Sequence, residues 1–191
     1  MRGGLRRQRL LSVAVSLFLG LLVAACGDDG DGGTGAGATP TTSSVLEGRV
    51  QRYPVTSANH VPGRVDYPQT PPVGGDHNAV WQNCGFYSEP VVSELAVHSM
   101  EHGAVWVVFR PSLPADQVGV LRQLARRPYV LVSPWPDEAI PSPVVASAWG
   151  LQLRADSATD PAVAAFVQAY ANGPQTPEPG APCTGGFGTP E

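Results

Sequence analysis

Pro90-Val-Val-Ser-Glu94-Leu-Ala-Val-His98-Ser-Met100-Glu101-His102-Gly103-Ala-Val-Trp-Val-Val-Phe109 carries a helix, a stop and a strand in direct succession. Pro90 suits a first helical turn, where its missing N–H is not needed, and Gly103 is a natural stop just past His102. Pro90 to Glu101 is therefore expected as a short helix. Ala104 to Phe109 follows as an unbroken apolar run rich in β-formers, the pattern of a central strand buried on both faces.

Downstream, Pro114 to Arg127 reads as an amphipathic helix. Val118, Leu121, Leu124 and Ala125 face inward, and its arginines come late, near the negative end of the dipole. Tyr129 to Ser133 is expected as a second strand, and Val144 to Trp149 and Leu151 to Arg154 as a third and fourth, broken by Gly150. Asp160 or Thr159 caps a last helix, Pro161 to Ala171, with Pro161 in its first position. Upstream, Val45 to Val55 alternates weakly and suits an edge strand, since Pro54 argues against a central one. Asn59 to Cys84 is too rich in proline and glycine for regular structure. It also holds His60, His77, Trp81 and the anchor Tyr67, with Tyr87 just beyond, so it reads as an ordered loop. The expected class is α+β: a small sheet with about two helices on one face and a large ordered N-terminal loop region. No internal repeat is visible.

The start of the chain is legible on other grounds. Arg2, Arg6, Arg7 and Arg9 precede an apolar run from Leu10 to Ala25, interrupted only by Ser12, Ser16 and Gly20. That run is short for a membrane span and has the layout of a secretory signal over residues 1–25. Leu22-Val-Ala-Ala-Cys26 resembles the lipobox of bacterial lipoproteins, which implies cleavage before Cys26 and acylation of its thiol; an uncleaved anchor helix is the alternative. Each buried methylene contributes roughly 0.8 kcal/mol to membrane binding, so two or three chains hold firmly. Gly27 to Ser44 has almost nothing apolar, and residues 26–44 are expected as a lipidated Cys and flexible tether. These features lead us to expect a lipid-anchored protein at the outer face of the cytoplasmic membrane. Its domain spans 45–172, and a Gly/Pro-rich tail follows over 173–191.

Every cationic side chain is Arg, and the lack of Lys suits a GC-rich genome. Without the four arginines of the signal, eight remain against sixteen acids, which argues against a nucleic-acid partner. Of the three cysteines, Cys26 goes to lipid. Cys84 and Cys183 form an even pair in an oxidising compartment and are expected as a disulfide that ties down the tail. Closing a loop of roughly 100 residues contributes up to about 4.7 kcal/mol in the chain-entropy model. A free Cys84 acting as a metal ligand is the rival reading.

All four histidines, His60, His77, His98 and His102, fall in the first part of the domain. On a helix, residues four apart have Cβ atoms roughly 5–6 Å apart. His98 and His102 would then chelate one ion, with Glu94 one turn earlier on the same stripe. His77 is expected as the third ligand and His60 as the fourth. Glu94 and Glu101 would fix imidazole tautomers, as carboxylates commonly do, and Trp81 and Tyr87 would wall the site. Met100 is counted with these supporting groups, although on a helix it lies about 200° round from His98. A His-rich site with a nearby thioether in an oxidising compartment favours copper, with zinc as the alternative. Paired imidazoles near a helix C-terminus also have a purely structural use, meeting the dipole or bonding the loop.

Three readings of function follow. The leading one is copper binding, buffering or transfer, which implies a metal donor or acceptor protein as partner. The second is a metal-free module whose loop region binds envelope material or a protein. The third is a zinc hydrolase, because His98-Ser-Met-Glu101-His102 matches the H-x-x-E-H pattern in which both His bind zinc and Glu is the base. That match is short, and no nucleophile elbow, phosphate loop or dinucleotide fingerprint accompanies it. The protein is read as a binder more than as an enzyme.

Several separated motifs occur in order: His60-Val-Pro-Gly-Arg-Val-Asp-Tyr67, Pro71-Pro-Val-Gly-Gly75-Asp-His77, Trp81-Gln-Asn-Cys84-Gly-Phe-Tyr87, and Glu94-x3-His98-Ser-Met-Glu101-His102-Gly103. Together they resemble the bacterial, mainly actinobacterial, domain of unknown function 3105, over about Val45 to Tyr170. The resemblance implies an extracytoplasmic protein held by a lipid or a helix, with copper-related neighbours. It implies no particular reaction. All four histidines lie in the family's motif segments, which strengthens the metal reading.

Overall fold

The computed structural model describes residues 41–191. The signal peptide expected over 1–25, the lipidated Cys26 and the tether as far as residue 40 lie outside the described residues. The described residues contain a six-stranded mixed sheet and four helices, an α+β arrangement. Helix α1 (Thr42–Leu46) and strand β1 (Gln51–Arg52) come first, and β2 (Gly85–Phe86) and α2 (Ser93–Glu101) follow a long connection. Then come β3 (Val105–Phe109), α3 (Ala115–Leu124), β4 (Val130–Pro134), β5 (Val144–Ala148), β6 (Leu151–Ala155) and α4 (Pro161–Tyr170). The strand order is β1-β6-β5-β3-β4-β2, so β3 is central. It pairs parallel with β4, to which α3 returns the chain, and antiparallel with β5. Among the described residues no helix is long and apolar enough to cross a membrane.

Side chains alternate across a strand, and here both faces are buried, which is why β3 and β4 read as continuous apolar runs. Val105, Val107 and Phe109 of β3, with Val130 and Val132 of β4 and Val144 and Ala146 of β5, join one core. Leu46 of α1, Leu121 of α3 and Val163, Phe166 and Val167 of α4 cover that side. Trp106, Val108, Leu131 and Val145 point the other way, onto Ala96, Val97 and Met100 of α2. Among the described residues, α1, α3 and α4 thus share one face, and α2 is the one helix on the other.

The first elements differ from expectation. Helix α1 occupies residues 42–44, which composition places in the tether; Thr41 caps it by accepting from Ser44 N at 3.3 Å, and Leu46 is buried. Of the edge strand expected over Val45 to Val55, only Gln51–Arg52 pairs, antiparallel to β6 at the sheet edge. Strand β2 was not visible in the sequence. It pairs parallel with β4 for two residues, and its Phe86 is buried.

The connection between β1 and β2 forms only isolated bridges, yet it is held by specific bonds. His77 N donates to Asn59 O at 3.0 Å and Val61 N to His77 O at 2.8 Å, which brings the two ends of the loop together. Tyr67 Oη donates to Asp76 O at 2.8 Å, and Asp76 accepts from Asn59 N at 3.0 Å. Gly150 N donates to Val73 O at 2.7 Å and Gln152 Nε2 to Pro71 O at 3.0 Å, fastening the loop to the β5–β6 turn and to β6. The tail is fastened too. Cys84 and Cys183 are joined by a disulfide with Cα atoms 5.4 Å apart, closing a loop across 99 positions.

Candidate metal centre

Helix α2 is buried nearly all round, from Glu94 to Glu101. Its apolar side packs on the sheet, so its polar stripe must be covered by the loop and the tail. At about 100° per residue, Glu94, His98, Glu101 and His102 fall on that stripe, and Met100 falls opposite. The helix ends where Gly103 takes φ +109°, a backbone that side chains resist, and a Cβ there would meet Asn172 Cα at 3.0 Å.

Three imidazoles are held in one tautomer by backbone carbonyls. His77 Nδ1 donates to Gly75 O at 2.8 Å, His98 Nδ1 to Asn78 O at 2.7 Å, and His102 Nδ1 to Pro182 O at 2.7 Å. A carbonyl only accepts, so each Nδ1 carries a proton, and a ring in its neutral form then has its lone pair on Nε2. Those Nε2 atoms point inward. His77 Nε2 lies 2.9 Å from Glu101 Oε2, and His98 Nε2 lies 2.9 Å from His102 Nε2. Both contacts bring two acceptors together. Each requires a shared proton or a cation between them.

His60 completes the group from the loop. Its Nε2 is 3.6 Å from Glu101 Oε2, and its ring stacks on His98 with centroids 4.7 Å apart. One ligand atom from each of His60, His77, His98 and Glu101 lies within 4.8 Å of the other three. His77, His98 and Glu101 are buried, whereas the His60 side chain is 49% exposed and forms the solvent side. Burial is the main cause holding His98 down to about 4; its neighbours His102, His77 and His60 add to this and the Asn78 carbonyl opposes it. His98 is therefore neutral at pH 7, as a ligand must be.

Not every expected residue takes its expected place. His102 touches His98 but lies outside the group of four, where Glu101 stands instead. Glu101 is thus a candidate ligand, rather than a group behind one. Glu94 bonds no imidazole: its carboxylate accepts from Val65 N at 2.8 Å and holds the loop, since backbone carbonyls already fix the rings. Met100 is fully buried against the sheet, on the far side of the helix from the rings. Tyr87 donates to Asn83 O at 2.9 Å and packs against the α2 side of the core. Trp81 does wall the rings, with centroids 5.8 Å from His98 and 5.1 Å from His102. The disulfide removes Cys84 from the possible ligands. Glu178 was not anticipated; its Oε2 lies 3.6 Å from His102 Nε2. Nothing local marks it, because it arrives from the tail.

The donor set suits a divalent ion that accepts imidazole and carboxylate, such as zinc, copper(II), nickel or iron(II). The H-x-x-E-H reading fits less well, because Glu101 engages His77 and His60 instead of standing free beside a site between His98 and His102.

A family model described as "Protein of unknown function (DUF3105)" matches residues 60–185, and the chain belongs to that family. No curated protein matches the chain, and no solved structure does.

Proposed function

We propose that this member of the family binds one divalent transition-metal ion through His60, His77, His98 and Glu101, and buffers or hands over that ion outside the cytoplasmic membrane. The observation that carries the reading is the tautomer lock. His77 and His98 each spend the Nδ1 proton on a carbonyl, leaving Nε2 lone pairs that converge with a carboxylate. Two neutral rings with their protons on Nδ1, as at His98 and His102, gain nothing from Nε2 atoms meeting at 2.9 Å unless a cation or a proton lies between them.

Copper is the first candidate and zinc the second. A site of nitrogen and oxygen donors favours copper(II) over the other divalent first-row ions. Among the described residues soft sulfur is out of reach: Met100 lies in the core, and Cys84 and Cys183 are bonded to each other. The site therefore favours the cupric over the cuprous form. The proposed setting is the outer face of the membrane, where a lipid on Cys26 would hold the domain and a donor or acceptor protein would meet it. The test is elemental analysis of the full chain, titrated with copper(II) and with zinc. One equivalent is expected, and His98→Ala should lose it with the fold retained by circular dichroism. Unchanged stoichiometry in that variant would sink the assignment.

One observation favours the metal-free reading. An open groove of about 540 Å³ runs beside α2, lined by Arg64, Tyr67, Val91, Val92, Glu94 and Trp135. Failure of the chain to take up any metal, with ligand binding lost on Trp135→Ala, would favour a binding module.

A further inference from the structure

The C-terminal tail has the composition of a loose end, yet it is bonded tightly onto the end of α2. Thr176 Oγ1 shares its one proton between Met100 O at 2.9 Å and Glu101 O at 2.6 Å. Glu178 N donates to Glu101 O at 3.0 Å, and Gly180 N to Asn172 Oδ1 at 2.7 Å. The disulfide at Cys183 closes the segment, with Cys84 N donating to Cys183 O at 2.8 Å. These bonds deliver two groups to His102. Pro182 O fixes its tautomer, and the Glu178 carboxylate, 58% exposed, stands 3.6 Å from its Nε2.

His102 itself is buried and lies outside the group of four, yet it is locked in the same way as His77 and His98. Its lone pair meets that of His98 at 2.9 Å. His98 has one free nitrogen, because Asn78 O holds the other. That nitrogen faces the inner group on one side and His102 on the other. It can bind an ion in either position, but only one at a time.

Resting on the metal reading above, we propose that His102 and Glu178 form a second, outer metal position. A divalent ion passes between solvent and the inner group through it, with His98 as the ligand common to both. The exposed carboxylate captures the hydrated ion, His102 replaces water in its shell, and His98 carries it inward as His102 lets go. Each step exchanges one ligand for another with no change in oxidation state. Trp81, against both rings, keeps the passage narrow.

The experiment follows extraction of copper(II) from the loaded full chain by an excess chelator in a stopped-flow instrument. Wild type is compared with His102→Ala, Glu178→Gln and, as a surface control, Glu138→Gln. His102→Ala and Glu178→Gln should keep one equivalent bound with near wild-type affinity but exchange it more slowly, by about tenfold or more. Glu138→Gln should exchange at the wild-type rate. Unchanged exchange in the His102→Ala and Glu178→Gln variants, with binding intact, would overturn the outer position and leave the exposed His60 side as the route. Loss of the equivalent in His102→Ala would make His102 an inner ligand and overturn it too. No copper on the wild-type chain would instead remove the metal reading beneath it.

Discussion

At the scale of residues, His98 concentrates the chemistry: one nitrogen is bound to Asn78, the other faces His102, and its ring stacks on His60. Its depressed protonation has a consequence for stability without metal. The folded chain holds His98 neutral down to about pH 4, whereas an unfolded chain protonates it near 6.5. The unfolded state then binds more protons in that window, so stability falls as pH drops from about 6.5 to 4. Thermal melts of the metal-free protein should show this loss, and His98→Gln should flatten it. An equally steep decline in the variant would place its origin elsewhere. The four histidines were legible because they are few and grouped, and α2 was legible enough to put His98 and His102 on one stripe. Which of Glu101 and His102 meets the loop was not, since both lie near that stripe and the position of His77 decides between them. Carbonyl partners leave no mark in a sequence, and Glu178 reaches His102 from 76 positions away.

Elements are legible in the sequence where burial is strong and less so where it is not. Strands β3 to β6 and helices α2 to α4 announce themselves through apolar runs, periodicity and caps. Strands β1 and β2 are two residues each, and α1 is a single short helix. Such pieces exist because the finished sheet and α4 offer them partners, which no local pattern encodes. The junction of α2 and β3 is the element on which the site depends most. Gly103→Ala would place a Cβ on a backbone at φ +109° and against Asn172. It should destabilise the protein by more than about 1 kcal/mol, lowering Tm by roughly 2–4 °C for each kcal/mol. Gly119→Ala in α3 is the contrast, because its new Cβ meets nothing within 4 Å and a helix interior favours Ala. Chemical denaturation of both variants checks the pair, and equal effects would contradict this account of the α2 stop.

For the whole molecule, one sheet separates two tasks. The face carrying α1, α3 and α4 is apolar and supplies most of the core. The other face holds α2 against the sheet and covers its polar stripe with the loop before β2 and the tail after α4. The side that carries the imidazoles therefore depends on segments poor in apolar residues, which the disulfide and the bonds to Glu94 and Asp76 hold in place. The buried strands could be foreseen, but the sequence suggested about two helices on one face, and neither the helices on both faces nor the way tail and loop meet over α2 could be foreseen. In the cell, the proposed anchor predicts that Cys26→Ser moves the protein from the detergent phase to the aqueous phase on Triton X-114 partition; an unchanged distribution would argue against lipid at that residue. Anomalous diffraction at the copper edge, from crystals of the protein grown with copper(II), would locate the ion itself. One strong peak is expected about 2.0–2.2 Å from Nε2 of His77 and His98 and from a Glu101 oxygen, with His60 closing the set. A peak away from these residues, or no peak from crystals grown with copper(II) in excess, would contradict the proposed site.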